Sequence, residues 1–349
     1  MTTLTETASF SRKAIVRVGK LLALIVGVYI VFRIGGLVFN AVFPPAPPPP
    51  TVAFGKLPQL DLSEGIASPD NLALKVETIS GDIPNLGSST KVFAVKNPDV
   101  TFGTLNDAAS IATRLGFLAQ TQDLGQGKVR FADAKQSGKF LTIEAATNNF
   151  KLESNFLDTA AILSSRPKSL ESVGAMATDF IKNFGVSDVD YPSDLISTFL
   201  FSVDNGKLVN ANSLSSANVV QVIFGRADLD KIGIVSLNAN YPLVWVMVSD
   251  KGVLAGEKSS NQIQKFKFST YPLKGSMAAF EELKSGRGIF NKLPRDNNFS
   301  IRNVRLAYVE TRRLQSYLQP VYIFEGDDNV LAYLPAVADD WIDSGKALK

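Results

Sequence analysis

The first hydrophobic stretch of the chain is continuous and follows neither a helical nor a strand period. Residues 21–43 form a run of 23 residues in which Arg33 is the only charged side chain. As a helix this run would be roughly 34 Å long, enough to cross a hydrocarbon core of about 30 Å, and we predict a transmembrane helix over 21–43. A cleaved signal peptide is disfavoured by the bulky residues after Arg33, and a buried core helix by the missing amphipathic stripe.

Basic residues cluster on the N-terminal side of this segment. Residues 1–20 contain one acidic side chain, Glu6, and four basic ones, Arg12, Lys13, Arg17 and Lys20. Because basic flanks of a membrane helix stay in the cytoplasm, we predict a cytoplasmic basic tail over 1–20. The remainder of the chain is then extracytoplasmic, and the protein is a single-pass protein of the cell membrane.

A proline-rich linker follows over 44–58. Six prolines stand between Pro44 and Pro50, and such a run favours the polyproline II helix. At about 3.1 Å per residue this run is a stiff spacer of roughly 20 Å. Residues 54–58, Phe-Gly-Lys-Leu-Pro, are alternatively a docking strand, since Phe54 and Leu57 are costly to leave in water.

The rest of the chain repeats one pattern, a helical segment followed by alternating strands. The apolar spacing predicts helices over 105–115, 170–183 and 277–283, each followed by a glycine. The predicted N-caps are Thr104 or Asn106, then Ser169, then Ser276. Short strands after each helix favour an α+β fold with antiparallel sheets. We predict three such units, over 59–165, 166–270 and 271–349.

Two local features make this prediction more specific. Asn205-Gly206 separates two alternating segments and predicts a type I′ hairpin, in which both residues take positive φ. In the last helix, the spacing of Met277, Phe280 and Leu283 predicts that these three side chains pack on the following sheet.

Composition removes several classes of function. The 349 residues include neither cysteine nor histidine, which excludes disulfides, thiolate sites and histidine-dependent catalysis. The net charge of +3 comes from residues 1–40, which contribute +4, so the rest of the chain sums to −1. We therefore predict no nucleic-acid binding.

Several segments of the C-terminal half resemble a known family. Tyr271-Pro272-Leu273, AAFEELKSGRGIF over 278–290, NVRLAYVE over 303–310 and YLQPVYIFEGDDNVLAYLPAV over 317–337 resemble the C-terminal repeat of the YycH/YycI family. VWVMVSDKGVLAG over 244–256 is similar to the strand, turn and returning strand of PepSY domains. The resemblance implies a single-pass bacterial membrane protein whose extracytoplasmic part is built from PepSY-like helix-plus-sheet units. Members of the family modulate a sensor kinase linked to the cell wall.

One group of charged residues is a candidate binding site. Arg302, Arg305, Arg312 and Arg313 predict a basic patch that binds a partner, with Arg312 and Arg313 on an exposed connection between strands. The acidic residues near the C-terminus follow no known Ca²⁺ loop spacing, so we predict no metal site and no cofactor. A solvated surface remains the alternative for the arginines.

Two tetrads raise the alternative of Ser/Lys hydrolysis. Ser88–Lys91 and Ser165–Lys168 match S-x-x-K, but the chain contains no K-T-G or S-D-N partner motif. We therefore predict no catalytic residues. The favoured function is binding or regulation at the cell envelope, through contacts with an envelope or membrane protein at exposed sheet edges. An envelope hydrolase and a structural subunit of an envelope assembly are the alternatives.

The predicted topology is directly testable. Protease added outside intact cells should digest the chain beyond Pro50, whereas a tag at the N-terminus should survive, because residues 1–20 stay inside. Immunoblots against tags at both ends measure this. Loss of the N-terminal tag with survival of the C-terminal one would reverse the orientation.

Overall fold

The computed structural model describes residues 49–237 and 242–343, together with the helical residues Gly27, Tyr29 and Arg33. The predicted basic tail, and most of the predicted transmembrane helix and proline run, lie outside the described residues. Within the described residues, no helix is long and apolar enough to cross a membrane. The chain divides into two compact units, Met1–Pro49 and Pro50–Lys349, and the second contains all the elements below.

The described part of this second unit contains few helices. They are α1 (Phe102–Arg114), the single turn α2 (Ala160–Leu163), α3 (Leu170–Lys182) and α4 (Ser276–Lys284). Strands are more numerous and fall into three groups along the chain. Before α1 lie β1 (Leu57–Pro58), β2 (Ile66–Ala67), β3 (Ala73–Val76) and β4 (Ser89–Lys96). The middle group is β5 (Phe117–Asp123), β6 (Lys128–Asp133), β7 (Phe140–Glu144), β8 (Asn149–Glu153), β9 (Ile196–Asp204), β10 (Lys207–Asn210), β11 (Val219–Phe224), β12 (Ile234–Val235), β13 (Val244–Ser249) and β14 (Gly252–Lys258). The last group is β15 (Gln262–Pro272), β16 (Ile289–Phe290), β17 (Asn298–Val309), β18 (Tyr317–Gly326), β19 (Leu331–Pro335) and β20 (Ile342–Asp343).

The predicted helices are present, but two of the three predicted caps are wrong. Thr101 caps α1: its hydroxyl accepts from the Thr104 N–H at 3.2 Å, and the Thr104 hydroxyl accepts from the Thr101 N–H at 2.9 Å. Ser169 caps α3 as predicted. Gly275 precedes α4 at φ 89°, and the Ser276 hydroxyl instead donates to the carbonyl of Pro84.

The first sheet joins two copies of one motif edge to edge. Its nine strands run in the order β10-β9-β11-β13-β14-β8-β7-β6-β5, and every pairing is antiparallel. In each half a helix precedes a strand meander: α1 precedes β5–β8, and α3 precedes β9, β11, β13 and β14. The last strands of the two meanders, β8 and β14, pair with each other. The first strands, β5 and β9, consequently lie at or beside the outer edges.

Both helices cover the same face of this sheet. Ala112 of α1 and Ala177 of α3 belong to one buried cluster with Phe131, Phe150 and Val246 of the strands. Strands alternate between two faces, so the opposite face contributes little to this cluster. The predicted hairpin is confirmed, because Asn205 and Gly206 take φ of 49° and 73°.

The second sheet combines segments from both ends of the folded region. It contains the path β12-β17-β18-β19-β16-β2, with β3 paired to β17 and β4 paired to both β15 and β18. Residues 57–96 therefore belong with the C-terminal strands and not with residues 97–165. This grouping differs from the three consecutive units predicted, because pairings across about two hundred residues leave no local signal in a sequence.

The end of the linker is part of this fold. Leu57 is buried, β1 pairs in parallel with β20, and the Phe54 ring lies 4.9 Å from the Tyr317 ring. The Val52 N–H donates to the Thr270 carbonyl at 3.0 Å. The predicted docking of residues 54–58 is thus present, and the linker is attached to the second sheet.

The predicted packing of α4 is correct for two of its three residues, since Phe280 also packs against the sheet, 6.3 Å from the ring of Phe324. Leu283 is fully buried, Phe280 is only partly buried, and Met277 is 53% exposed. Ala279 occupies the position that faces the sheet instead. The helix is rotated relative to the predicted apolar stripe.

This rotation can be tested by a pair of alanine substitutions. Leu283→Ala should lower the free energy of unfolding by about 2–5 kcal/mol, because it leaves a cavity in the core. Met277→Ala should change it by less than about 0.5 kcal/mol, because that side chain lies at the surface. Urea unfolding of both variants measures the difference, and equal losses would contradict the observed orientation.

Candidate functional site

The four predicted arginines each lie against a carboxylate. On β17, the Arg302 guanidinium makes two hydrogen bonds to Asp327, at 2.9 and 3.0 Å, and also pairs with Glu77. Arg305, three residues along the strand, binds Glu325 at 2.6 Å. Asp327 and Glu325, two of the acidic residues near the C-terminus, are thus ion-pair partners of Arg302 and Arg305.

Arg312 and Arg313 follow β17 and differ in exposure. Arg313 is 71% exposed and binds Asp61 at 2.8 Å, whereas Arg312 is 29% exposed and pairs with Glu257 of β14. The backbone N–H of Arg312 also donates to Glu64 at 2.7 Å. The predicted exposed position therefore fits Arg313 but not Arg312, which links the two sheets. Charge reversal at Arg312 would break this link, so it cannot serve as a neutral surface change.

The two S-x-x-K tetrads do not lie on helices. Ser88 immediately precedes β4, and Lys91 on that strand binds Asp230 at 2.7 Å. Residues three apart in a strand project to opposite faces. Ser165 donates to the Ile162 carbonyl at 3.2 Å, and residues 165–168 are irregular. Neither tetrad has the helical spacing that brings a serine and a lysine together.

An open strand edge lies at one end of the first sheet. Strand β10 covers β9 only over residues 201–204, and Ala211 adds one hydrogen bond to the Leu200 carbonyl at 2.9 Å. In an antiparallel strand, the backbone groups of alternate residues point to the same side. The N–H and C=O of Thr198 therefore point to this same side, past the end of β10. Phe199 beside it is 50% exposed, which is unusual for an aromatic side chain within a sheet.

A groove of about 420 Å³ adjoins this open edge. It runs between the C-terminal part of α3, the loop 186–195 and the start of β9. Much of its lining is apolar and consists of Ile181, Val186, Tyr191, Pro192, Ile196 and Phe224. The polar groups around them include Lys182 and Asp188, which form an ion pair at 3.2 Å. A groove with an apolar floor and a polar rim suits an apolar side chain of a peptide.

The loop that forms one wall of the groove is held in place. The Gly225 N–H donates to the Leu195 carbonyl at 3.0 Å, and the Ala227 N–H donates to the Asp190 carbonyl at 2.8 Å. Lys265 binds the Asp190 carboxylate at 2.6 Å. Gly225 has no room for a side chain, since a Cβ would lie 2.7 Å from the Leu195 carbonyl oxygen. The groove is therefore preformed.

A buried polar cluster lies behind the groove, at the junction of the two sheets. Arg226 pairs with Glu310 of the second sheet, and both side chains are almost fully buried. Arg226 also donates to the Asn261 carbonyl at 2.9 Å, and Glu310 accepts from the Asn261 N–H. Burial disfavours the charge of Arg226, yet Glu310 raises its pKa above the ordinary value. Tyr191 lines the groove, and burial disfavours its ionised form, which raises its pKa to about 12.

Lys258 ends β14 within the same junction. Its ammonium group donates to the Asn149 side-chain oxygen at 2.9 Å and to the Thr147 carbonyl at 3.3 Å. Burial lowers the pKa of this group to about 8, and the charge of Glu310 offsets part of the effect. These charged residues are enclosed by protein, so we assign them to the connection between the sheets.

Comparison with known proteins leaves the family open. No family model matches the chain, and no curated protein matches it. Among solved structures, the Bacillus megaterium YpeB C-terminal domain matches with 13% sequence identity and a TM-score of 0.25. The match covers 69% of this chain and 95% of that domain. A likeness at this score carries neither fold nor function from one protein to the other.

The burial of Lys258 predicts a specific pH dependence of stability. The pKa in the folded state is about 8, against an ordinary value of 10.5, so between these values the unfolded chain binds more protons. The free energy of unfolding should therefore rise with pH across this range, by at most about 3 kcal/mol.

Lys258→Met isolates this contribution, because it keeps the volume of the side chain and removes the titrating group. Urea unfolding at pH 7.5 and pH 10 should show a smaller rise for the variant than for the unchanged protein. The other titrating groups contribute equally to the pH dependence of the variant and of the unchanged protein. An identical rise would mean that the Lys258 amine is not buried in the folded state.

Proposed function

We propose that this protein is a membrane-anchored binding protein of the cell envelope that captures an extended peptide segment at the open edge of β9. The observation that carries the proposal is the end of β10 at Asn210, which leaves the outward backbone groups of Thr198 uncovered beside a preformed groove. If the protein has the regulatory role that the YycH/YycI resemblance implies, the open edge of β9 is the surface that we propose for contact with its partner.

Backbone chemistry selects the class of partner. An outward N–H and C=O on one strand are complemented by another extended backbone, which gains main-chain hydrogen bonds as it adds to the sheet. Natural edge strands are usually blocked by lysine, proline or a bulge. Over 196–200, the sequence Ile-Ser-Thr-Phe-Leu contains neither lysine nor proline. This segment pairs with β11 in continuous register, so it contains no bulge either.

The groove supplies selectivity. Alternate side chains of an added strand would point to the face of the sheet on which Ile196 packs, and Ile196 lines the groove. We therefore expect the bound segment to carry an apolar side chain at one such position. The exposed ring of Phe199 is available for a second contact on the opposite face.

The alternative functions have less support. Ser/Lys hydrolysis lacks a favourable observation, since neither tetrad lies on a helix. A purely structural subunit would also use exposed edges, but a preformed groove next to the edge favours recognition of a particular sequence.

Thr198→Pro tests the proposal, with Thr198→Ala as its matched control. Proline removes the outward N–H, and it is tolerated on a strand edge where that N–H meets solvent. The probe is a peptide selected from a library of random nonapeptides displayed on phage, using the full chain in nanodiscs. The proline variant should bind it about tenfold more weakly or worse, since it loses a main-chain bond and adds a clash. The alanine variant should bind nearly as the unchanged protein does.

Circular dichroism and thermal unfolding establish that both variants are folded. A folded Thr198→Pro variant that binds the peptide with unchanged affinity would overturn the proposal. So would a selection that enriches the same peptides on the unchanged protein and on Thr198→Pro.

A further inference from the structure

A large bulge interrupts the pairing of β15 with β4. Ile263 pairs with Val95, and the next paired residue of β15 is Phe268, which pairs with Phe93. Between these two pairs the chain advances by five residues in β15 but by only two in β4. Residues 264–267 consequently protrude from the sheet. Phe266 within this bulge is fully exposed.

Phe268 at the base of the bulge is itself 42% exposed, although it has two aromatic or charged neighbours. The ring of Phe268 lies 5.8 Å from the ring of Phe93, and the Lys91 ammonium sits over it at 4.1 Å. Burial of apolar surface is the main favourable term in folding and association, and exposed apolar patches mark interaction surfaces, so two exposed aromatic side chains in one short segment indicate an external contact.

The charges around Phe266 indicate the nature of that contact. Lys265 and Lys267 flank it in the sequence, Lys91 lies at its base, and Lys96 stands at the end of β4. Lys265 pairs with Asp190 and Lys91 pairs with Asp230, whereas Lys267 and Lys96 form no ion pair with a described residue, so they keep positive charge in this region. An aromatic side chain surrounded by lysines has the composition of a contact with an anionic bilayer surface.

The bulge also lies close to the point where the linker joins the fold. The hydroxyls of Thr51 and Ser269 are 2.8 Å apart, and Ser269 follows Phe266 by three residues on β15. The start of the second unit therefore lies beside the strand that carries the bulge.

We propose that the bulge 264–267 is a membrane-surface contact in which Phe266 enters the headgroup region of an anionic leaflet and Lys267 beside it faces lipid phosphates. This inference rests on the membrane anchoring in the proposed function.

Quenching by brominated lipids tests the contact in the full chain. The probe is Phe266→Trp, reconstituted in vesicles of phosphatidylcholine and phosphatidylglycerol with or without brominated acyl chains. The matched control is Phe102→Trp, which is also strongly exposed but lies on α1 over the first sheet. Emission of the native Trp245 and Trp341 is subtracted with the unchanged protein.

The emission added by Phe266→Trp should shift to shorter wavelength and be lost in brominated vesicles, whereas the emission added by Phe102→Trp should persist. Lys267→Glu in the Phe266→Trp background should restore part of the lost emission. Flotation of the vesicles on a density gradient shows whether the chain is membrane-bound. If the chain floats with the vesicles and both tryptophan probes are quenched equally, the proposed contact is refuted but membrane anchoring is retained. If the chain does not float with vesicles, the anchoring itself fails and this inference falls with it.

Discussion

The pairing of β14 with β8 is the interaction on which the arrangement of the first sheet depends. Each helix-plus-meander half could bury only part of its apolar face alone. Joining the halves through their last strands places both helices over one continuous core. The same pairing places the first strand of each meander toward an outer edge, and the end of β10 at Asn210 then leaves part of β9 open. Gly256 of β14 permits the close approach of the neighbouring strand β13, because a Cβ there would lie 3.0 Å from the Trp245 carbonyl oxygen.

A second constraint fixes the two sheets to each other. Strand β14 continues through residues 259–261 into β15, and Arg226, Glu310 and Lys258 surround this connection. A buried ion pair is costly to desolvate and often contributes little to stability, but removing one partner leaves an uncompensated charge. Arg226 follows β11 of the first sheet and Glu310 follows β17 of the second, so the pair links the two sheets. Since Asp190 and Tyr191 connect the groove wall to this cluster, the shape of the groove depends on it.

Local patterns in the sequence were sufficient for the elements but not for their assembly. The glycine after each helix, Ser169 as a cap and the Asn205-Gly206 hairpin follow from short-range chemistry, and the structure contains them. The bulge at Phe266 is not predicted, because Lys-Phe-Lys-Phe over 265–268 alternates as a regular strand would. The sequence predicts contacts at exposed sheet edges but does not identify β9 as the open one, because that depends on where β10 ends relative to β9. Arg312 was placed at the surface because its partner Glu257 is 55 residues away in sequence.

The central claim is that the outward backbone of β9 is open in the free protein and closed by a bound strand. Site-resolved amide hydrogen exchange, followed by NMR, tests this most directly, because exchange reports whether an individual N–H is hydrogen bonded. In the free chain, the Thr198 amide should exchange much faster than those of Ser197 and Phe199, which face β11. Addition of a selected peptide should slow exchange at Thr198 and leave its neighbours unchanged. Equal protection of all three amides in the free chain would show that the edge is already covered and would contradict the account.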